Sequence, residues 1–240
     1  MRKHNRRRYL FCSALSVVLL FQILTYPASA SDGGAADKLL ALTFDDGPTG
    51  KYTAALLDGL AARQIQCTFF VCGYRIDQYP QLLERIAAEG HEIGLHGQTH
   101  CYFRDLSTEQ IRQELVPMSD AIEVCTGVRP SLLRPPGGLY SDTLLAEAQQ
   151  ENLSLILWSV DPRDWESHSS EVVQSRILHD AKPGSIILMH DSSTSSVSAA
   201  LSIIDQLRAQ GYRFVTVSEL AASTGIPLIP GKSYFSFPNS

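Results

Sequence analysis

Two carboxylates stand side by side at Asp45-Asp46, followed at once by Gly47-Pro48. Neighbouring acids repel each other and are costly to bury without a cation or hydrogen-bond donors. On composition alone, Asp-Asp-Gly-Pro is a surface turn. As a site it requires positive charge nearby, and other stretches of the chain provide it. His96 and His100 are four residues apart, a spacing that puts both imidazoles on one side of a helical turn, where they can bind one metal ion. Gly97 takes the position of the glutamate in His-Glu-x-x-His, which disfavours a zincin-type peptidase. Two histidines and one carboxylate form a three-ligand catalytic set with a position left for water. Only one of the two aspartates is needed as a ligand, so the other is free to take the proton from that water. Arg134 can steady an ionised aspartate, and His190, beside Asp191, reads as a general acid. Trp158 and Trp165 flank Asp161 and Asp164; indole faces suit sugar rings, although two tryptophans serve equally well as core.

All these residues follow apolar runs. Asp45 and Asp46 follow the run 39–42, His96 and His100 the segment 91–95, and Arg134 ends 132–134. Asp161 and Asp164 follow 153–160, and His190 follows 184–189. With 66–73 and 212–217, these make seven strands of continuous rather than alternating apolarity. Helical spacing recurs between them, at 52–63, 80–89, 107–126, 141–150, 169–179 and 198–209. A short helix at 218–222 ends the series. Ser107, with Gln110 three residues on, is the expected cap of the third helix, and Pro117 within it predicts a kink or break.

Alternating strands and helices, with strands apolar on both faces, indicate a parallel sheet covered by helices. Seven repeats in this length suit a distorted (β/α) barrel of the TIM-barrel type. No GxGxxG or P-loop supports an open nucleotide-binding sheet. The polar residues then gather at the C-terminal ends of the strands, where such barrels build active sites. His91, at the opposite end of its strand, reads as structural, and His168 and His179 as helix-end or surface residues.

The first thirty residues do not belong to this pattern. Five basic residues and no acid precede the apolar stretch 10–24, and Ala28-Ser29-Ala30 is a small-residue cleavage pattern. This is the layout of a secretory signal peptide, with an uncleaved membrane anchor as its alternative. Residues 31–37 read as a flexible lead-in, 38–222 as the folded domain, and 223–240 as a surface-wrapping tail. Losing the first thirty residues takes five positive charges from a chain of net charge −5 and leaves −10, which argues against nucleic-acid binding. Export permits disulfides among Cys67, Cys72, Cys101 and Cys125, but their spacing dictates no pairing.

Thr43-Phe44-Asp45-Asp46-Gly47, His96-x-x-x-His100, Arg134-Pro135-Pro136-Gly137, Asp161-x-x-Asp164-Trp165 and Leu188-Met189-His190-Asp191 occur in this order over about residues 38–222. They resemble the five motifs of the polysaccharide deacetylase family (the NodB homology domain, carbohydrate esterase family 4). The resemblance implies a distorted (β/α) barrel. It also implies that Asp46, His96 and His100 bind a divalent metal, usually zinc, with cobalt or another divalent ion as the alternative. Asp45 would be the base, Arg134 would keep it charged, and His190 would protonate the departing amine. An aspartate of the Asp161/Asp164 motif, Asp161 by preference, would tune His190. Leu188 would line the acetyl pocket and Trp165 the glycan groove. The implied reaction is hydrolysis of the N-acetyl group of GlcNAc- or MurNAc-type sugars; the N-terminal layout adds export, and a monomer is expected. Acetyl-xylan esters are the alternative substrate, and a catalytically silent glycan-binding protein is the rival from another class. Two positions depart from the pattern. Gly97 removes a hydroxyl that braces the histidine loop, and Gly137 keeps a backbone N–H for the oxyanion while losing the ring of the usual tyrosine, which widens the subsite.

Overall fold

The structure, a computed structural model, describes residues 38–238. The signal-peptide and lead-in expectations lie outside the described residues. The elements follow in the order β1 (Lys38–Asp45), α1 (Lys51–Arg63), β2 (Thr68–Val71), α2 (Gly73–Ile76), α3 (Pro80–Ala88), β3 (Glu92–Leu95), α4 (Thr108–Thr126) and β4 (Leu132–Leu133). A 3-10 turn at Pro136–Gly138 leads to α5 (Asp142–Gln150), β5 (Ser154–Ile156), α6 (Ser170–Asp180) and β6 (Ile186–His190). The chain continues through α7 (Thr194–Ala209), β7 (Tyr212–Phe214), α8 (Val217–Thr224) and β8 (Ser233–Tyr234). Among the described residues, no helix is long and apolar enough to cross a membrane.

The seven strands read from the sequence are all present. The sheet runs β6-β1-β2-β3-β4-β5-β8, with β7 on β1, and every strand pair is parallel. It curls into a distorted (β/α) barrel. Beyond β5, a parallel bridge joins Val160 to Ile187 and brings the two sides of the mouth together. Strand periodicity sorts the side chains. In β1, Leu40, Leu42 and Phe44 face the layer of helices, while Leu39 and Ala41 join Phe70, Leu132, Ile156 and Ile186 in a separate inner cluster. Val217, Leu220 and Ala221 of α8 close that inner cluster from below. By the same alternation, Thr43 and Asp45 continue the inward face, so β1 delivers one carboxylate to the barrel mouth.

Two expectations change here. Of the kink or break expected at Pro117, the break does not occur: α4 is one helix through that residue, capped by a Ser107–Gln110 capping box. The tail does not simply wrap the surface: Ser233–Tyr234 pairs with β5 as an eighth strand, and Phe237 is fully buried. Gly184, at φ 83°, lets that segment pass, since a Cβ there would lie 2.1 Å from the Phe237 carbonyl oxygen.

Candidate metal and hydrolytic centre

Asp45, the last residue of β1, is in register with His190 of β6 on one side and Phe70 of β2 on the other. Parallel register alone therefore places the expected base and acid at one level of the barrel. The backbone N–H of His96 donates to Val71 and that of Arg134 to Leu95, which extends the ladder into the loops carrying those side chains.

Arg134 is completely buried beneath the mouth. One Nη1 donates to Asp45 Oδ1 and to Thr43 Oγ1, each at 2.7 Å, while Nε and Nη2 reach the Ile156 and Leu157 carbonyls at 2.9 and 3.0 Å. Its guanidinium also lies 4.1 Å above the Phe70 ring. Burial pushes this guanidinium's proton affinity down, opposed by Asp45. A buried charge this fully partnered fixes the carboxylate it touches. With Oδ1 so held, Asp45 Oδ2 is left on the open side, 3.7 Å from His96 Nε2.

Asp46 turns away from its neighbour because its backbone is left-handed, at φ 72°. Its Oδ1 lies 3.0 Å from His100 Nε2 and 3.3 Å from His96 Nε2. Ligand atoms of Asp46, His96 and His100 all fall within 4.8 Å of one another. His96 Nδ1 is 2.7 Å from the Arg134 carbonyl, which can only accept, so in the neutral ring the proton sits on Nδ1 and Nε2 is the atom left for a cation. Asp46 Oδ1 is buried and receives no well-formed hydrogen bond. Burial pushes the Asp46 carboxyl up, but the His100 and His96 rings outweigh it and hold it well below the usual carboxylate range. A lone-pair nitrogen, a low-pKa carboxylate and a second imidazole converging on one point fit a divalent cation. The two histidines lie in a loop rather than on a helical turn, with His100 left-handed at φ 63°, yet their ring centres are only 5.1 Å apart. Left-handed backbone at two ligand-type residues is strain of the kind that collects at functional sites.

Gly97, at φ 86°, occupies a conformation in which a side chain is disfavoured. The brace comes from elsewhere. Glu114 of α4 accepts from the Thr99 N–H at 2.8 Å and from its hydroxyl at 2.7 Å, and its own carbonyl accepts from the Gln98 N–H at 3.0 Å. On the other side, the N–H groups of Gly73 and Tyr74 in α2 donate to the carbonyls of Gly97 and Gln98. Sequence reasoning missed Glu114. The available signal was its place on the buried face of α4, three residues after Ile111 and one before Leu115.

His190 requires a correction. The preferred tuner, Asp161, does not reach it: Asp161 Oδ1 accepts from the Arg163 N–H at 2.8 Å in a local turn, and the residue is exposed. Asp164 is the partner instead. Its Oδ1 is 2.8 Å from His190 Nδ1 and its Oδ2 accepts from the His190 backbone N–H at 2.9 Å. Burial pushes the imidazole down, but the bond to Asp164 and the nearby Asp45 and Asp46 raise it to about 9. Asp191, beside it, points inward under the loop at Gly47. Thr53 donates to its carboxylate, and a Cβ on Gly47 would lie 2.6 Å from Oδ2, so only glycine lets the loop settle there. Burial pushes Asp191 up to about 7.

Above these groups opens a cleft of about 410 Å³, lined by both aspartates, both ligand-type histidines and His190, with Gly137, Trp158, Asp161, Trp165, Leu188 and Tyr102 completing the wall. The resemblance-derived positions Gly137, Trp165 and Leu188 thus all reach one cavity. The four cysteines Cys67, Cys72, Cys101 and Cys125 are free, and burial pushes their thiols up.

Barrel and site together define a (β/α)-barrel hydrolase with a candidate metal centre at its C-terminal mouth. The family profile described as "Polysaccharide deacetylase" matches residues 32–156. The peptidoglycan-N-acetylglucosamine deacetylase of Bacillus cereus is 38% identical over 189 residues, covering 77% of this chain and 88% of the relative. The peptidoglycan-N-acetylmuramic acid deacetylase of Bacillus subtilis is 40% identical over 183 residues, covering 76% of this chain but 38% of that protein. A family 4 acetyl xylan esterase from Clostridium thermocellum, solved with a cobalt ion, superimposes with a TM-score of 0.79 at 33% identity, over 84% of this chain and 100% of that one. The chain belongs to the polysaccharide deacetylase family.

Proposed function

We propose that this protein is an exported N-deacetylase of peptidoglycan or a chitin-like oligomer, releasing acetate and leaving a free amine on GlcNAc- or MurNAc-type sugars. The observation that carries this reading is the pairing of an Arg134-held Asp45 and an Asp164-held His190 across three ligand-type side chains. Asp46, His96 and His100 hold the divalent ion, zinc or a substitute such as cobalt, which supplies Lewis-acid polarisation and a water of lowered pKa.

Asp45 Oδ2 takes the proton from the water that adds to the acetyl carbonyl carbon. The backbone N–H of Gly137, at the cleft wall, is offered to the oxygen on which charge develops, a role that needs no side chain. His190 donates to Asp164 through Nδ1 and gives the proton on its other nitrogen to the amine nitrogen as the carbon–nitrogen bond breaks. Leu188 lines the cleft where the acetyl methyl group is to lie, and Trp165, more than half exposed, offers a face to a sugar ring.

Similarity to an acetyl xylan esterase supports a second reading, because the same base, acid and ligand set would serve an O-acetyl ester. Retention of both base and acid favours turnover over a silent glycan-binding role. Acetate release is to be measured on peptidoglycan, chitopentaose and acetylated xylan, before and after chelation and on restoring zinc or cobalt. Release from the N-acetylated glycans is expected to vanish on chelation, return with metal, and fall about 10³-fold in Asp45→Asn. Activity indifferent to chelation overturns the metal role, and preference for xylan selects the ester reading.

A further inference from the structure

Tyr102 is, by fraction, the most exposed aromatic side chain of the cleft wall, 64% exposed and two residues beyond the ligand-type His100. A single exposed aromatic is ordinary on a protein surface, but this one is built into place. The next residue, Phe103, is fully buried against Gly97, which anchors the backbone so that the Tyr102 ring is carried out over the mouth. The ring then lies against Gly137. A Cβ on that glycine would be 2.9 Å from Tyr102 Cε1, and Gly137 itself is left-handed at φ 64°. The missing side chain at 137 and the ring at 102 therefore occupy one space. Trp165 lines the same cleft.

Resting on the deacetylase reading above, we infer that Tyr102 is a substrate-positioning residue: its ring is a wall of the sugar-binding groove, filling the space left open at Gly137 and stacking on a pyranose ring of the glycan. A tyrosine suits this use, since its face is apolar and its hydroxyl reaches water. The residue acts on binding and leaves the proton transfers to Asp45 and His190.

The test uses the zinc-loaded full chain. In an Asp45→Asn background, where bound sugar is not consumed, calorimetry gives the dissociation constant for chitotetraose with and without Tyr102→Ala. In the parent background, KM and kcat are measured for the same oligomer. Tyr102→Ala is expected to raise both KM and the dissociation constant about ten-fold while kcat changes less than two-fold. Tyr102→Phe restores both to within about two-fold of the parent. Unchanged binding in Tyr102→Ala overturns the inference, as does failure of the parent to bind chitotetraose. A fall in kcat with loss of bound zinc also overturns it, because Tyr102 would then be a prop for His100. Loss of the deacetylase reading shows differently: the protein with native Asp45 binds glycan, with Tyr102 still mattering, but releases no acetate.

Discussion

At the scale of single residues, the centre divides like charges among unlike partners. Asp45 and Asp46 are adjacent in sequence, yet one is fixed by a buried guanidinium and the other faces two imidazoles. A similar division governs His190. Asp164 accepts from it at both ring and backbone, and the ring is raised to about 9. In the general-acid role proposed for it, His190 must be protonated to act, so activity should persist below that pKa and fall as pH rises through it. Asp164→Asn removes the charge that raises the ring, and an amide cannot accept at both of its terminal atoms. We expect the alkaline limb of kcat/KM to move to lower pH by on the order of one unit and kcat to fall about 10²-fold. Asp161→Asn should leave the limb in place. A limb that stays put in Asp164→Asn would remove Asp164 from this role.

At the scale of elements, the loop 96–100 owes its shape to its neighbours. Glu114 presents two acceptors to Thr99 from α4, and α2 presents two N–H donors from the other side. Outer partners of metal ligands typically contribute 10–100-fold to metal affinity. Glu114→Ala should weaken zinc binding by about that factor in competition with a chelator, while Glu114→Gln, which can still bond both Thr99 groups, should recover most of it. Equal zinc affinity in parent and alanine variant would show the loop to be stiff without Glu114. The same element explains what could and could not be read from sequence. Asp45, His96, Arg134 and His190 were legible because each follows a short apolar run, and strand ends are local features. Glu114 was not, since its partner lies across a tertiary contact. The choice between Asp161 and Asp164 depended on a left-handed Arg163, at φ 53°, which turns the first aspartate into a local acceptor and sends the second inward. The eighth strand carries only two residues and exists through pairing with β5, so no periodicity could announce it.

At the scale of the whole molecule, the barrel has a chemical end and a structural end, and its buried histidines differ accordingly. His91 lies just before β3, at the end opposite the cleft. Its Nδ1 accepts the Cys67 N–H at 3.1 Å, and its ring packs edge-on to Phe69 with centres 5.2 Å apart. Burial pushes it down to about 4; Glu89, whose Oε2 is 3.9 Å away, opposes that, and Arg85 adds to it. In the unfolded chain the same ring titrates near its ordinary value of about 6.5. Between those values the unfolded state binds the proton and the folded state does not, so stability rises with pH across the interval. The contribution is complete above about pH 6.5 and is lost as pH falls toward 4, and it amounts to on the order of 3 kcal/mol. Protonation would also turn Nδ1 from acceptor to donor and break the Cys67 contact. His91→Gln can keep that acceptor and does not titrate. Denaturant midpoints measured from pH 7 to pH 4 should therefore fall less steeply in His91→Gln than in the parent. The alkaline activity limb assigned by proposal to His190, at the other end of the barrel, should not move. Parallel midpoint curves for the two proteins would mean that the acid sensitivity of the fold lies in its carboxylates and not in His91.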